Sequence, residues 1–316
     1  MKPKVLVVQA IHPAGIEMLK PEVDIIMAKS PDPEQLLQEV ADVEGIILRL
    51  SPLPASVINA ASKLKVIGRP GVGCDNVDIA AAAARGIPVV YSPGSNNISV
   101  AEHTVGLMLA VTKRIVDANF AVKAKHNFQF RTEVQTTELY GKTIGIVGYG
   151  NIGRRVADIC RNGFGMRVLA YDKYLSADTV AAGGARLVEH LDELLSEADV
   201  VSMHMPATPD SYHMISGDQL RKMKPSAFLL NTARGTVVDE KALFEALKNK
   251  IIAGAGSDVF EQEPPVWDNP LLTLDNYIVT PHMAAHSAES LTRMATMMAE
   301  GVLDVFHGRQ PKYIAK

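Results

Sequence analysis

Three polar residues stand just past apolar runs of the chain, and their types fit one chemistry. Arg234 follows "FLLNT" in "NTARG" (231–235), Glu263 lies in "GSDVFEQEPP" (256–265), and His282 closes "YIVTPH" (277–282). An arginine can grip the carboxylate of a 2-oxo acid through a forked pair of charge-assisted hydrogen bonds and polarise the neighbouring carbonyl. A histidine can protonate the alkoxide that forms when a hydride arrives, and take the proton back in the reverse direction. A carboxylate against the imidazole orients the ring and favours its acid form. Each residue also has an ordinary reading, as surface ion pair, loop polar group or turn residue. His286 follows His282 by four residues, the spacing of a metal pair on a helix. A zinc-protease helix needs glutamate directly after the first histidine, and Met283 stands there. Pro281 places His282 at a strand end instead, with His286 a neighbour at the next helix start or a cleft rim. No third ligand is nominated, so no metal is expected.

A hydride needs a carrier, and the middle of the chain offers a place for one. "KTIGIVGYGNIGRRVADIC" sets Gly148, Gly150 and Gly153 in G-x-G-x-x-G spacing between an apolar run and an amphipathic one. Glycines in this spacing also recur by chance, but the strand-to-helix context is the one the motif requires. Gly148 permits the tight turn, Gly150 lets a pyrophosphate approach the backbone, and Gly153 lets helix and strand pack closely. The amides at the helix start face the anion, aided by the helix dipole. Asp172 follows Gly153 by 19 residues at the end of "RVLAYD". A carboxylate there accepts from the ribose hydroxyls and repels a 2′-phosphate, so NAD is expected over NADP. Lys173 beside it is the one residue that pulls the other way.

The elements that must position these groups are legible as an alternation. Strands are expected at 4–8, 45–50, 65–70, 87–92, 143–148, 167–172, 199–204, 227–232, 253–259 and 277–281. Their hydrophobicity is continuous rather than alternating, as in parallel strands buried on both faces. Helices are expected at 76–86, 151–162, 191–198 and 240–250, with one long helix at 100–119 and a Met-striped, core-packing one at 291–308. Such repetition means a doubly wound α/β fold, in which ligands bind beyond the carboxyl ends of the strands. The 316 residues suggest two domains at roughly 150 residues each. A formal net charge of −3 offers no basic face for nucleic acid or anionic lipid. Cys74 and Cys160 are too few for a disulfide framework and fit a reduced cytoplasm. Neither a signal peptide nor a membrane span is read from the sequence.

Along nearly the whole chain stand, in order, "GRPGVGCDNVD" (68–78), "SVAEHTVGLML" (99–109), "GKTIGIVGYGNIG" (141–153), "LLNTARGTVVDE" (229–240), "GSDVFEQEPP" and "TPH". With these motifs the chain resembles the D-isomer-specific 2-hydroxyacid dehydrogenases, most closely the catalytic core of the phosphoglycerate dehydrogenases. The resemblance implies NAD-dependent interconversion of a D-2-hydroxy acid and its 2-oxo acid, of the phosphoglycerate or the hydroxypyruvate/glyoxylate type. It makes Arg234 the substrate-binding arginine, Glu263 the partner carboxylate and His282 the acid/base. Asp258 becomes the aspartate at the nicotinamide carboxamide, and Val72, Asn151, Ile152, Asp172, Met205, Thr232, Ala233 and Ala284 occupy NAD-contacting positions. Arg49, Ser51, Val72 and Gly73 match the region that holds the substrate carboxylate.

The implied architecture is two doubly wound parallel-sheet domains: a Rossmann NAD domain, residues 99–283, inserted into a flavodoxin-like substrate domain, residues 1–98 and 284–316. The active site is then expected in the cleft between them. Residues 120–142 resemble the family's dimerisation arm, so a cytoplasmic homodimer is expected, with a surface loop as the plainer alternative. Phe128 stands where relatives often carry tryptophan, and the loop "LRLSPLPASVIN" is one residue shorter than usual, which leaves phosphate contacts there open. Feedback by serine through a C-terminal regulatory domain is not expected of this chain. His103 reads as an interdomain packing residue, and Trp267 as a residue near the cleft. The competing function is a non-catalytic, NAD(H)-sensing protein on the same scaffold, like certain transcriptional corepressors.

Overall fold

Runs such as "KVLV" and "TIGIV" bury nearly every residue, and in a computed structural model describing residues 2–315 they form two all-parallel sheets. The chain divides into two units, residues 1–96 with 286–316, and residues 97–285.

The first unit holds β1 (Lys4–Val7), β2 (Asp24–Met27), β3 (Gly45–Ile47), β4 (Val66–Arg69) and β5 (Val89–Tyr91), in the order β2-β1-β3-β4-β5. This is the flavodoxin-type order, which reverses direction between β1 and β3. One face is covered by the helix Ala288–Phe306, whose Met298, Ala299 and Val302 are fully buried among Val5, Val7, Ile47, Val66 and Val90. Each large side chain so removed from water contributes about 1.5–3 kcal/mol. The helix lies close because small residues let it: a Cβ on Gly301 would stand 3.1 Å from Val90 Cβ.

The second unit holds β6 (Thr143–Val147), β7 (Arg167–Tyr171), β8 (Arg186–Leu187), β9 (Val200–Met203), β10 (Phe228–Asn231), β11 (Gly254–Ser257) and β12 (Tyr277–Val279). Their order, β12-β11-β10-β9-β6-β7-β8, is the dinucleotide-binding arrangement with its switch point between β6 and β9. All ten expected strands are present. β2 and β8 are two further strands without a buried apolar run. β2 is a largely exposed edge strand, and β8 is two residues long.

The long helix expected at 100–119 is two helices, Asn97–Thr112 and Ile115–Lys123. The break falls at Arg114, whose φ of +51° is left-handed. No glycine or proline announces it; instead Arg114 Nε donates to Asp117 Oδ2 (2.7 Å), and its guanidinium lies 5.8 Å from the Phe130 ring centre. Among the described residues no helix is long and apolar enough to cross a membrane.

Candidate active site

The turn from β6 into the helix Asn151–Phe164 meets the demands made of its three glycines separately. Gly148 has φ +93°, and a Cβ there would stand 2.7 Å from His204 O at the end of β9. A Cβ on Gly153 would meet Gly148 O at 2.2 Å, so helix and strand close only on glycine. A Cβ on Gly150 would meet nothing within 4 Å, and no side chain caps this helix. Space and uncapped amides at a helix start are what a pyrophosphate needs. Asn151 and Ile152 form the first turn, with Ile152 against the core. Asp172 accepts from Tyr149 N and Tyr174 N, both at 2.9 Å, so it braces the glycine turn as well as facing it. Carboxylate oxygens have lone pairs left for hydroxyl donors. Past β9, Met205 packs on the core, and desolvation pushes the His204 imidazole down to about 3. His204 Nε2 lies 2.9 Å from Ser202 Oγ.

Arg234, Glu263 and His282 come together within the second unit. His282 Nδ1 lies 2.6 Å from Glu263 Oε2, and Glu263 Oε1 accepts from Phe260 N at 3.0 Å. Desolvation pushes the Glu263 carboxyl up, but His282, the Phe260 amide and the charge of Arg234 outweigh it and hold it below its ordinary value. Both side chains keep over a third of their surface, 38% for His282 and 37% for Glu263, so a ligand can reach them. The bond at Nδ1 leaves Nε2 as the nitrogen turned to other partners. Arg234 sits in a turn built by Asn231, whose Oδ1 accepts from Ala233 N (3.0 Å) and whose Nδ2 donates to Arg234 O (2.9 Å). Arg234 Nη1 also donates to Ala233 O at 2.8 Å.

Asp258, 1% exposed, fastens the loop that carries His282. Its Oδ1 accepts from Thr280 Oγ1 (2.5 Å) and Met283 N (2.9 Å), its Oδ2 from Ala284 N (2.8 Å), and its backbone oxygen from His282 N (2.8 Å). Ala284 O in turn accepts from Ser99 Oγ (2.7 Å), and Thr232 Oγ1 meets Thr104 Oγ1 at 2.7 Å. His103 belongs to this network, its Nε2 lying 2.9 Å from Thr280 Oγ1 and 3.5 Å from Asp258 Oδ1. This polar role goes beyond the interdomain packing expected of His103. Trp267 is 85% exposed.

The remaining expected residues lie in the first unit. Arg49 and Ser51 follow β3, and Val72 and Gly73 follow β4. Gln9 Oε1 accepts from three consecutive amides, Arg49, Leu50 and Ser51 (3.2, 2.8 and 3.0 Å). Asn76 Nδ2 donates to Arg49 O (3.2 Å) and Ser51 O (2.7 Å). These two brackets were not read from the sequence, where nothing ties residue 9 or 76 to residue 50. His286 is on no helix, and its Nε2 lies 3.1 Å from Arg49 Nη2. Among the described residues no group of three or more His, Cys, Asp or Glu is placed to hold a metal.

Residues 105–284 match the model for "D-isomer specific 2-hydroxyacid dehydrogenase, NAD binding domain". A D-3-phosphoglycerate dehydrogenase of Methanocaldococcus jannaschii is 42% identical over 306 residues, covering 96% of this chain and 58% of that protein. The chain thus spans a little over half the length of that relative. A glyoxylate reductase of Korarchaeum cryptofilum is 40% identical over 317 residues, covering 98% of this chain and 95% of that protein. The crystal structure of D-lactate dehydrogenase from Aquifex aeolicus, complexed with NAD and lactic acid, superposes with a TM-score of 0.84 at 33% identity, covering 96% of each chain.

Proposed function

The chain belongs to the D-isomer-specific 2-hydroxyacid dehydrogenase family, and we propose that it interconverts a D-2-hydroxy acid and its 2-oxo acid with NAD as cofactor. The observation that carries this reading is the 2.6 Å contact between His282 Nδ1 and Glu263 Oε2, with the charge of Arg234 acting on the same carboxylate. The cofactor, when bound, would supply the hydride as NADH in reduction and accept it as NAD+ in oxidation. His282 holds the proton at Nε2 and delivers it to the carbonyl oxygen, while Glu263 fixes the ring through Nδ1. Arg234 offers the fork that matches a carboxylate and its neighbouring oxygen. The glycine turn takes the pyrophosphate, Asp172 the ribose hydroxyls, and Met205, Thr232, Ala233, Asp258 and Ala284 line the same end of the sheet. Arg49, Ser51, Val72 and Gly73 are assigned to the substrate carboxylate, Val72 also to the cofactor, on the family pattern. In this reading the second unit is the cofactor domain and the first the substrate domain.

Phosphoglycerate, hydroxypyruvate and glyoxylate chemistry all lie within the names of the relatives, so the substrate is assigned by assay. NADH oxidation is measured against hydroxypyruvate, glyoxylate, pyruvate and phosphohydroxypyruvate, with NADPH as the control. Turnover of one acid names the substrate. Silence across the panel, with NADH still bound, leaves a 2-oxo acid outside the panel or the sensing function.

We also infer a cytoplasmic homodimer. Ile115, Val116, Phe120, Val122, Phe128 and Tyr140 are each about half exposed or more, and all fall in or beside the arm at 120–142. A run of large exposed apolar side chains of this kind marks an interaction surface.

A further inference from the structure

We propose that Glu240 is a positioning residue for the His282–Glu263 pair, because its carboxylate holds both ends of the loop that carries Glu263. The inference rests on reading that pair as the acid/base of the reaction. Residues 261–269 form neither strand nor helix, and most of them are exposed. The place of Glu263 within this stretch is therefore set largely by how the ends are held.

Glu240, the first residue of the helix Glu240–Lys248, divides its two oxygens between those ends. Oε1 accepts from Glu261 N at 2.9 Å, and Oε2 accepts from Asn269 Nδ2 at 2.7 Å. Glu261 answers in kind, its Oε1 accepting from Glu240 N at 2.7 Å. Helix start and loop start thus exchange carboxylate-to-amide bonds in both directions. Asn269 spends its Oδ1 on Leu271 N (3.0 Å), which fixes the side chain that Glu240 grips.

Two neighbours complete the arrangement. His213 lies between the carboxylates of Glu261 and Asp239: Nε2 is 3.2 Å from Glu261 Oε1, and Nδ1 is 3.9 Å from Asp239 Oδ2. Its ring is stacked on Tyr212 at 4.0 Å between centres. On the inner side, a Cβ on Gly235 would stand 1.8 Å from Phe260 O, so the loop start is pressed against the turn after Arg234. One packed contact therefore sets the backbone beside Arg234 and the backbone leading to Glu263. A displacement of about 1 Å in a reacting geometry can cost on the order of 10²-fold in rate.

The test exchanges donor and acceptor at the far end of the loop. In Glu240→Gln the amide oxygen can still accept from Glu261 N, while its NH2 faces the NH2 of Asn269. We expect kcat to fall about tenfold or more with KM for NADH within about twofold. In Glu240→Gln/Asn269→Asp the bond re-forms with its polarity reversed, and kcat should return to within about threefold of the parent. The 15N resonances of the His282 imidazole, read without substrate, should move in the single variant and return in the double. Unchanged kcat and resonances in Glu240→Gln would overturn the proposal. So would a fall in kcat that the double variant leaves in place with the His282 resonances unmoved. Resonances that move and return in a protein inert toward every 2-oxo acid would keep the positioning role and sink the dehydrogenase reading.

Discussion

His282 holds a backbone conformation that few side chains adopt, with φ at +48°. Left-handed residues other than glycine cost on the order of 1 kcal/mol and persist where their surroundings hold them. Here the hold is Asp258, which accepts His282 N on its backbone oxygen and Met283 N and Ala284 N on its carboxylate. Asparagine tolerates this region better than most residues, so His282→Asn removes the imidazole while sparing the turn. Turnover should fall by roughly 10²–10⁴-fold, with NADH affinity within about threefold, as steady-state assay and fluorescence titration would report. A variant that keeps its rate would refute His282 as the acid/base. Cys160 is a contrast: burial pushes its thiol up to about 12, so this cysteine is core filling rather than a nucleophile.

Among the elements, the turn after β6 should separate binding from folding in two glycines three residues apart. Gly153→Ala forces a methyl to within 2.2 Å of Gly148 O, which is backbone and cannot move aside cheaply. We expect it to lose about 1–3 kcal/mol by urea denaturation, as overpacked sites do. Gly150 has open space and an ordinary φ of −76°. Gly150→Ala should keep stability within about 1 kcal/mol while weakening NADH by about tenfold or more, if the pyrophosphate lies over this turn as proposed. Equal losses of stability in both variants would count against this division. The same turn shows why so much was readable. Strands buried on both faces write themselves as apolar runs, and the polar residues proposed for the chemistry, Arg234 and His282, stand at their ends. The supports could not be read, because Gln9 reaches Arg49 and Glu240 reaches Asn269 only through tertiary structure. The edge strand β2 lacked a buried pattern, and the break at Arg114 lacked a glycine or proline.

At the scale of the whole molecule two properties follow. The arm bearing Phe120 and Phe128, 55% and 66% exposed, should bring the protein to twice the chain mass by light scattering. Phe120→Glu/Phe128→Glu should return it to a single chain, and a native protein already monomeric would remove the dimer. Acid stability carries the mark of His204. Its folded value, near 3, lies below the ordinary 6.5, so the unfolded chain binds the extra proton between the two. Stability from this group is full above about pH 6.5 and drains as pH falls toward 3, at up to about 1.4 kcal/mol per pH unit. His204→Gln should flatten that slope in urea titrations between pH 7 and 4; a slope identical to the parent would show that other groups govern it.

The first unit is assembled from the two ends of the described chain, and this gives its birth an order. The second unit is one uninterrupted segment, complete once residue 285 has been made. The first unit must wait for the helix Ala288–Phe306, about 200 residues after its own sheet. At 5–20 residues per second that delay is roughly 10 to 40 s. Throughout it, Val5, Val7, Ile47, Val66 and Val90 lack the apolar cover that Met298, Ala299 and Val302 will supply. A nascent chain halted before residue 288 should therefore be a client of hydrophobic-binding chaperones, and should be released as that last helix arrives.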